Sequence, residues 1–350
     1  MASVGDFDRF AFIVGAPRCG TTTLAHYLKS HPSISFPCVK EPHFFSQHDL
    51  RGMDTAPLRN HVEGEYLNRY FSADHSRRIG ADASVTYLYT PEQLEPVLRL
   101  WPDSRFVVAL RNPLSMLPSL HRRLIYLGDE TISDFADAWA AVPDRAAGQR
   151  IPRGCADPRW LRYDLAARFS TYLERLFATV GRERCQVVIF DDLTADPAGQ
   201  YQALVDFLDI EPMRAPDFSA RRAGKSVRIR WLQRLLKRPP VAVREYFAGE
   251  HYRRRICDVA DRDEKRSPGT VLSLRKRLLD WNRVSRPQDP LPDAVRDLIC
   301  SAFEGEVDRL SRLLDRDFTP WLGPAESLPP ISAAEVPAQV PPLRHASNLH

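Results

Sequence analysis

The segment Phe10-Ala-Phe-Ile-Val-Gly15-Ala-Pro-Arg18-Cys19-Gly20-Thr21-Thr22-Thr23-Leu24 constrains this chain more than any other. Five apolar residues read as a buried strand, Gly15 to Gly20 as a tight loop, and the threonines as the start of a helix. Such a junction gathers backbone N–H groups and the positive end of a helix at one point, which suits a phosphate or sulfate group. Gly15 and Gly20 have the spacing of a Walker A loop, but Thr21 stands where that motif requires lysine, and the cation, Arg18, lies inside the loop. The loop is built for a polyanion without the lysine that a nucleoside triphosphatase places on its β- and γ-phosphates.

Further apolar runs predict strands near 79–83, at 105–110 and at 186–190, after the first at 10–14. Helical patterns fall between them, at 21–30, 61–72, 91–100, 113–126, 132–142, 162–180 and 197–208. The alternation predicts an α/β fold with a central parallel sheet flanked by helices and the ligand at its carboxyl edge. After about residue 210 the strand signal fades. Residues 211–226 read as a loop, and 227–238, 241–256 and 293–315 as helices. The last carries an apolar stripe of Val295, Leu298, Ile299, Ala302, Phe303, Val307, Leu310, Leu313 and Leu314. Residues 323–350, rich in Pro, Ala and Ser, read as a disordered tail. The arginines at 253–255 read as a solvated face. We expect one domain over 1–322, with an α/β core at about 8–210 and a helical part at about 211–322.

At 350 residues, 43% hydrophobic and 27% charged, the chain is long enough for a sizeable core. A net charge of +4 fits an anionic ligand without calling for nucleic acid. The six cysteines form no C-x-x-C pair, and no histidine cluster joins them at metal spacing. They read as reduced thiols, residues 1–9 carry no signal-peptide core, and no apolar run reaches bilayer-spanning length, so a cytoplasmic location without a membrane span or metal is expected.

A second constellation lies in Arg105-Phe-Val-Val-Ala-Leu-Arg111-Asn-Pro-Leu-Ser-Met-Leu-Pro-Ser119. A buried strand delivers Arg111 to its carboxyl end, Asn112-Pro113 opens a helix, and Ser119 follows about two helical turns later. An arginine and a hydroxyl so placed can grip a second phosphate. Together the two motifs resemble the sulfotransferases that use 3′-phosphoadenosine-5′-phosphosulfate (PAPS). That family has a Pro-Lys/Arg-x-Gly-Thr-Thr loop for the 5′-phosphosulfate, and a 3′-phosphate motif of Arg followed eight residues later by Ser. The resemblance extends through Val187–Leu193, Asp196-Pro197 and Phe207-Leu208 to Asp317-Phe318-Thr-Pro-Trp321, covering most of residues 8–322. It implies a P-loop-like sheet and PAPS as sulfuryl donor. The expected PAPS-binding residues are Arg18, Cys19, Gly20, Thr21, Thr22, Thr23, Arg111 and Ser119.

A third stretch, Lys40-Glu41-Pro42-His43-Phe44-Phe45, resembles the branch that sulfates glycans, including the heparan sulfate enzymes. The resemblance makes Glu41 the general base on a glycan or other hydroxylated acceptor, with Arg18 and His43 completing the catalytic set. Partial desolvation among prolines and aromatics should raise the pKa of Glu41 and improve it as a base. The bland alternative is that Glu41 pairs with Lys40 or an arginine and merely pins the loop. His43 and His121 are the reserve bases. Gly80-Ala-Asp82-Ala83-Ser84-Val-Thr-Tyr87 resembles a Glu-Lys-Ser-Pro-x-Tyr stretch of the glycan enzymes, with Ala83 in place of the lysine. That cation is missing or supplied elsewhere.

The acceptor cleft is expected from 44–75, 120–160 and 215–260. Tyr66, Tyr70, Tyr126, Trp139 and Trp160 are stacking candidates, although such residues are more often simply core. One rival reading is a P-loop kinase or ATPase, supported by Val187-Val-Ile-Phe190-Asp191-Asp192, which mimics a Walker B strand. Another is a non-catalytic nucleotide-binding module. Oligomeric state is not legible.

Overall fold

The computed structural model describes residues 1–72, 76–212, 218, 225–238, 270–285 and 291–323. Five strands, β1 (Arg9–Gly15), β2 (Ile34–Ser35), β3 (Ile79–Asp82), β4 (Arg105–Leu110) and β5 (Cys185–Ile189), form one parallel sheet in the order β2-β3-β1-β4-β5. Strand β1 is central, with Phe12 registered against Asp82 on one side and Phe106 on the other. Residues 10–15 are all buried, as a strand covered on both faces must be. From β1 the chain first builds one wing of the sheet, β2 and β3, and then crosses to build β4 and β5. This reversal puts the switch point between β1 and β4, where an open parallel sheet leaves a crevice at its carboxyl end.

The principal helices are α1 (Thr21–Lys29), α2 (Pro113–Leu127), α3 (Phe169–Val180), α4 (Pro197–Leu208), α5 (Arg230–Lys237), α6 (Thr270–Asn282) and α7 (Asp293–Leu314). The Asn112 side chain accepts from the Leu114 N–H and Pro113 fills the first position of α2, so this helix starts as its sequence predicts. On one sheet face Phe12 stacks on Phe10 and on Phe106, with ring centroids 5.6 and 5.5 Å apart. Trp101, Tyr66, Tyr87 and Phe45 extend this aromatic cluster. Helix α7 docks on α3, where Glu306 accepts from Ser170 Oγ (2.5 Å) and Thr171 Oγ1 (2.9 Å).

Several expectations are corrected. The two-residue strand β2 is too short to leave a periodic signal. The helix expected at 61–72 begins at Thr55 and passes through a wider turn over Glu63–Leu67. Leu298, placed in the buried stripe of α7, is 39% exposed. Strands also occur after 210: β6 (Lys225–Val227) and β7 (Arg283–Ser285) pair antiparallel, 58 residues apart at the middle pair, with Lys225 opposite Ser285. Three-residue partners at such separation are invisible to a local reading. The expected helix at 241–256, the arginines at 253–255 and positions 324–350 of the expected tail lie outside the described residues.

Candidate active site

The loop after β1 and the start of α2 meet over the switch point. Arg18 and Gly20 adopt left-handed backbone, with φ of 69° and 93°. A Cβ on Gly20 would meet Leu193 Cδ2 at 3.0 Å and Phe190 Cδ2 at 3.1 Å, so both conformation and space call for glycine there. The turn brings the Arg18 side chain to α2, where Nε donates to Ser119 Oγ at 3.0 Å. Arg111 leaves the end of β4 and donates from Nη1 to the Arg18 carbonyl (3.3 Å) and from Nε to Ser115 Oγ (2.9 Å). Its guanidinium lies 4.3 Å from the Phe190 ring centroid, a cation–π contact. Residues a hundred positions apart thus form one cluster, with Arg18 linking Arg111 to Ser119.

Arg18, Thr21, Thr22, Glu41, His43 and Ser119 line a single cavity of about 640 Å³. Cys19, Gly20, Thr23 and Arg111 lie outside its lining. The Cys19 N–H is turned to the Ala16 carbonyl (3.4 Å) and the Thr23 N–H to the Gly20 carbonyl (2.8 Å). Cys19 is fully buried, and burial pushes its thiol far above the ordinary range, so it packs rather than reacts. The cavity wall carries five cations, Arg18, Lys40, Arg122, Arg123 and Arg238, against Glu41, Asp129 and Asp157. The balance favours an anion.

A chain of hydrogen bonds fixes the Glu41 loop. Asp82, wholly buried at the end of β3, accepts from Tyr66 and Tyr87 hydroxyls on Oδ2 (both 2.9 Å). Its Oδ1 accepts from the Ser84 hydroxyl (2.6 Å) and N–H (2.9 Å). Ser84 Oγ in turn accepts the N–H of His43 (2.8 Å), a residue held at φ 57°. The His43 Nδ1 meets Thr86 Oγ1 at 2.9 Å, and its Nε2 lies 3.7 Å from Glu41 Oε2. Burial pushes Asp82 up to about 6 despite its four donors. Burial also lowers His43, outweighing the pull of Glu41, so the imidazole is neutral at neutral pH.

Glu41 departs from the expected pKa. Burial does push its carboxyl up, but the ammonium of Lys40, by charge and by a 2.5 Å hydrogen bond to Oε1, pulls it down with help from His43 and Arg123. The net result is a carboxylate held below the ordinary 4.5, not above it. The pairing with Lys40 that the bland reading allowed is therefore present. Lys40 Nζ also sits 3.5 Å from the carbonyl oxygen of Ala83, so a cation stands beside the position where the resemblance expects lysine.

His121 is buried behind the cavity with Nε2 at 2.9 Å from the Ile132 carbonyl oxygen, and burial lowers its pKa. Tyr66 and Trp139 belong to the core, and half-buried Tyr70 packs against it, whereas Tyr126 and Trp160 line the cavity. Arg122 and Arg123 escaped the sequence reading, although their spacing of three and four from Ser119 puts them on its side of α2. Asp192, the Walker B mimic, is ion-paired with Arg316.

A family model described as "Sulfotransferase family" matches residues 11–214. Human heparan sulfate glucosamine 3-O-sulfotransferase 6 is 25% identical over 207 residues, 57% of this chain and 52% of that protein. Nodulation protein NoeE of Sinorhizobium fredii is 31% identical over 234 residues, 60% of this chain and 52% of its own length. The chain spans about half the length of these curated relatives. Among solved structures, a sulfotransferase from Alicyclobacillus acidocaldarius superposes with a TM-score of 0.56 over 89% of this chain and 97% of that one, at 22% identity. At that identity the likeness establishes the P-loop-like fold.

Proposed function

The chain belongs to the sulfotransferase family, and from that premise we propose that it moves the sulfuryl group of PAPS to a hydroxyl of a glycan or other small hydroxylated acceptor. The observation that carries the reading is the Arg18–Ser119 contact, which joins the two expected PAPS motifs at the wall of the cavity that holds Glu41. One relative's name specifies heparan sulfate glucosamine, which favours a glycan hydroxyl as acceptor.

The residues present fit PAPS: the hydroxyls of Thr21 and Thr22 at the start of α1, and a cavity wall that carries Arg18, Lys40, Arg122, Arg123 and Arg238. PAPS supplies the sulfuryl group and, as leaving group, adenosine 3′,5′-bisphosphate. Thr21 and Thr22, through their hydroxyls and N–H groups at the start of α1, hold the 5′ oxygens. Arg18 offers charge-assisted hydrogen bonds to the same region. Arg111 and Ser119 hold the 3′-phosphate, the contact that selects PAPS over ATP. Arg18 stays protonated and acts by charge, not as an acid.

Glu41 takes the acceptor proton. Its Oε1 is engaged by Lys40, while Oε2 has His43 only at 3.7 Å, beyond a hydrogen bond, so Oε2 is the oxygen that receives the hydroxyl. Lys40 keeps the carboxylate ionised through neutral pH at some loss of basicity. His43, neutral and anchored through Thr86 and Ser84, positions the loop and orients the acceptor beside Oε2.

Transfer from PAPS to a panel of hydroxylated acceptors tests this reading, with Glu41→Gln alongside. We expect turnover to fall while bisphosphate binding persists. Unchanged sulfation in that variant would move the base elsewhere, and failure to bind the bisphosphate at all would end the PAPS reading.

A further inference from the structure

The segments 225–238 and 270–285 hold ten Lys or Arg and one acidic residue, Asp280. Their net charge of +9 exceeds the +4 of the whole chain, so the remaining sequence is acidic, at −5. Basic charge is therefore concentrated in the unit built from β6, α5, α6 and β7.

The same unit exposes apolar surface. Of the seven large apolar side chains that the described residues expose, four are here: Trp231 (69%), Leu235 (50%), Leu274 (59%) and Trp281 (51%). Trp231 and Leu235 are four apart on α5, and Leu274 and Trp281 are seven apart on α6, so each pair shares one face of its helix. The inward groups are polar. Gln233 and Asn282 are fully buried and bonded to each other at 3.1 Å, and Gln233 Nε2 donates to the Tyr126 carbonyl of α2 at 2.8 Å. Arg275 Nε donates to the Leu236 carbonyl (3.0 Å) and holds the two helices together. On α5 the outward face is thus apolar while the face toward the protein carries a buried amide, the reverse of an ordinary surface helix. Arg228, Arg230, Lys276 and Arg277 are exposed on the same unit, with the Arg228 guanidinium 5.5 Å from the Trp281 ring centroid.

We propose that α5 and α6 form a docking surface for an anionic lipid bilayer. Amphipathic helices with Trp and Leu on one face and Arg and Lys beside it lie in the interface plane, their rings at headgroup level and their cations on anionic lipid. A soluble polyanion would use the arginines but gain nothing from Leu235 and Leu274. A second copy docking symmetrically would press one basic surface, with Arg228, Arg230, Lys276 and Arg277 exposed, against another. Arg238, the residue after α5, lines the cavity and donates to Asp129 Oδ1 (2.5 Å) and Oδ2 (2.8 Å), so the docked membrane borders the cavity wall. Bilayer binding does not depend on the reaction assigned to that cavity.

Flotation of the full chain with vesicles of equimolar phosphatidylglycerol and phosphatidylcholine, against phosphatidylcholine alone, tests the proposal. We expect flotation with the anionic vesicles only, weakened by salt, with a blue shift of tryptophan emission. Replacing Arg230, Lys276 and Arg277 together by Gln should lower the partition coefficient about a hundredfold. Trp231→Ser with Leu274→Ser changes only exposed positions and should lower it at least about tenfold. Absence of flotation would overturn the proposal, as would flotation undiminished in both variants. Retention on dextran sulfate without vesicle binding would make the surface a polyanion site instead. Self-association of the wild type, lost in the Trp231/Leu274 variant, would make it an interface between copies.

Discussion

Asp82→Asn separates the structural and functional duties of the most buried carboxylate near the site. Asp82 is 0% exposed and takes four hydrogen bonds, two from tyrosines and two from Ser84. Asn keeps the shape and one acceptor oxygen but turns an NH₂ toward groups that donate. Tyrosine hydroxyls can rotate to accept, so the cost at neutral pH should be about 1–2 kcal/mol. The pH dependence is sharper. Burial raises the native pKa from the ordinary 3.8 to about 6, so the native state binds the proton more tightly than the unfolded chain. For such a group, stability is gained as pH falls through 6 and is fully present below 3.8; it is lost as pH rises. The rise is worth about 3 kcal/mol in full, and about half of it is recovered between pH about 7.5 and about 5. Urea denaturation at those two pH values should therefore show the wild type gaining about 1 kcal/mol over Asp82→Asn. Because Ser84 transmits the anchor to His43, the variant should also lose turnover at both pH values. A stability gap independent of pH, or full turnover in a stable variant, would refute this account of Asp82.

Other consequences are as direct. Ser119→Ala removes the hydroxyl that Arg18 contacts, and calorimetry should find bisphosphate binding weakened by about tenfold, with AMP binding little changed. Glu41 is held below 4.5, so the acid limb of kcat/KM should fall below that pH; a limb above it that disappears in His43→Asn would pass the base role to His43. Glu130 and Arg145 form a buried ion pair at 2.7 Å, which Tyr163 also joins through a 2.9 Å bond to Glu130. Glu130→Ala should cost about 3–5 kcal/mol in thermal or urea unfolding, by leaving the arginine uncompensated.

Strands β1 and β4 were legible because each holds five consecutive apolar residues, β3 and β5 from shorter apolar stretches between helical patterns, and the loop at 15–20 because glycine and proline punctuate it. Strands β2, β6 and β7 were not, since two or three residues cannot show a period and their pairing is set by distant partners. The site divides the same way. Residue types and spacing pointed to Arg18, Thr21, Thr22 and Ser119, and the resemblance to Glu41; the fold gathers all five round one cavity. The environment of Glu41 was misjudged, because desolvation can be inferred from neighbouring prolines and aromatics, whereas the 2.5 Å approach of Lys40 depends on rotamers. Arg238 reaches the cavity from a segment with weak patterning, and only its pairing with Asp129 reveals it.

The central claim is that the loop after β1 and the start of α2 together bind a 3′,5′-bisphosphorylated adenosine. Calorimetric titration of the full chain with adenosine 3′,5′-bisphosphate, AMP and Mg-ATP tests it most directly, with Arg111→Ala as the companion. The account predicts tight binding of the bisphosphate alone, lost in Arg111→Ala. Preference for Mg-ATP, or bisphosphate binding untouched by that substitution, would contradict it.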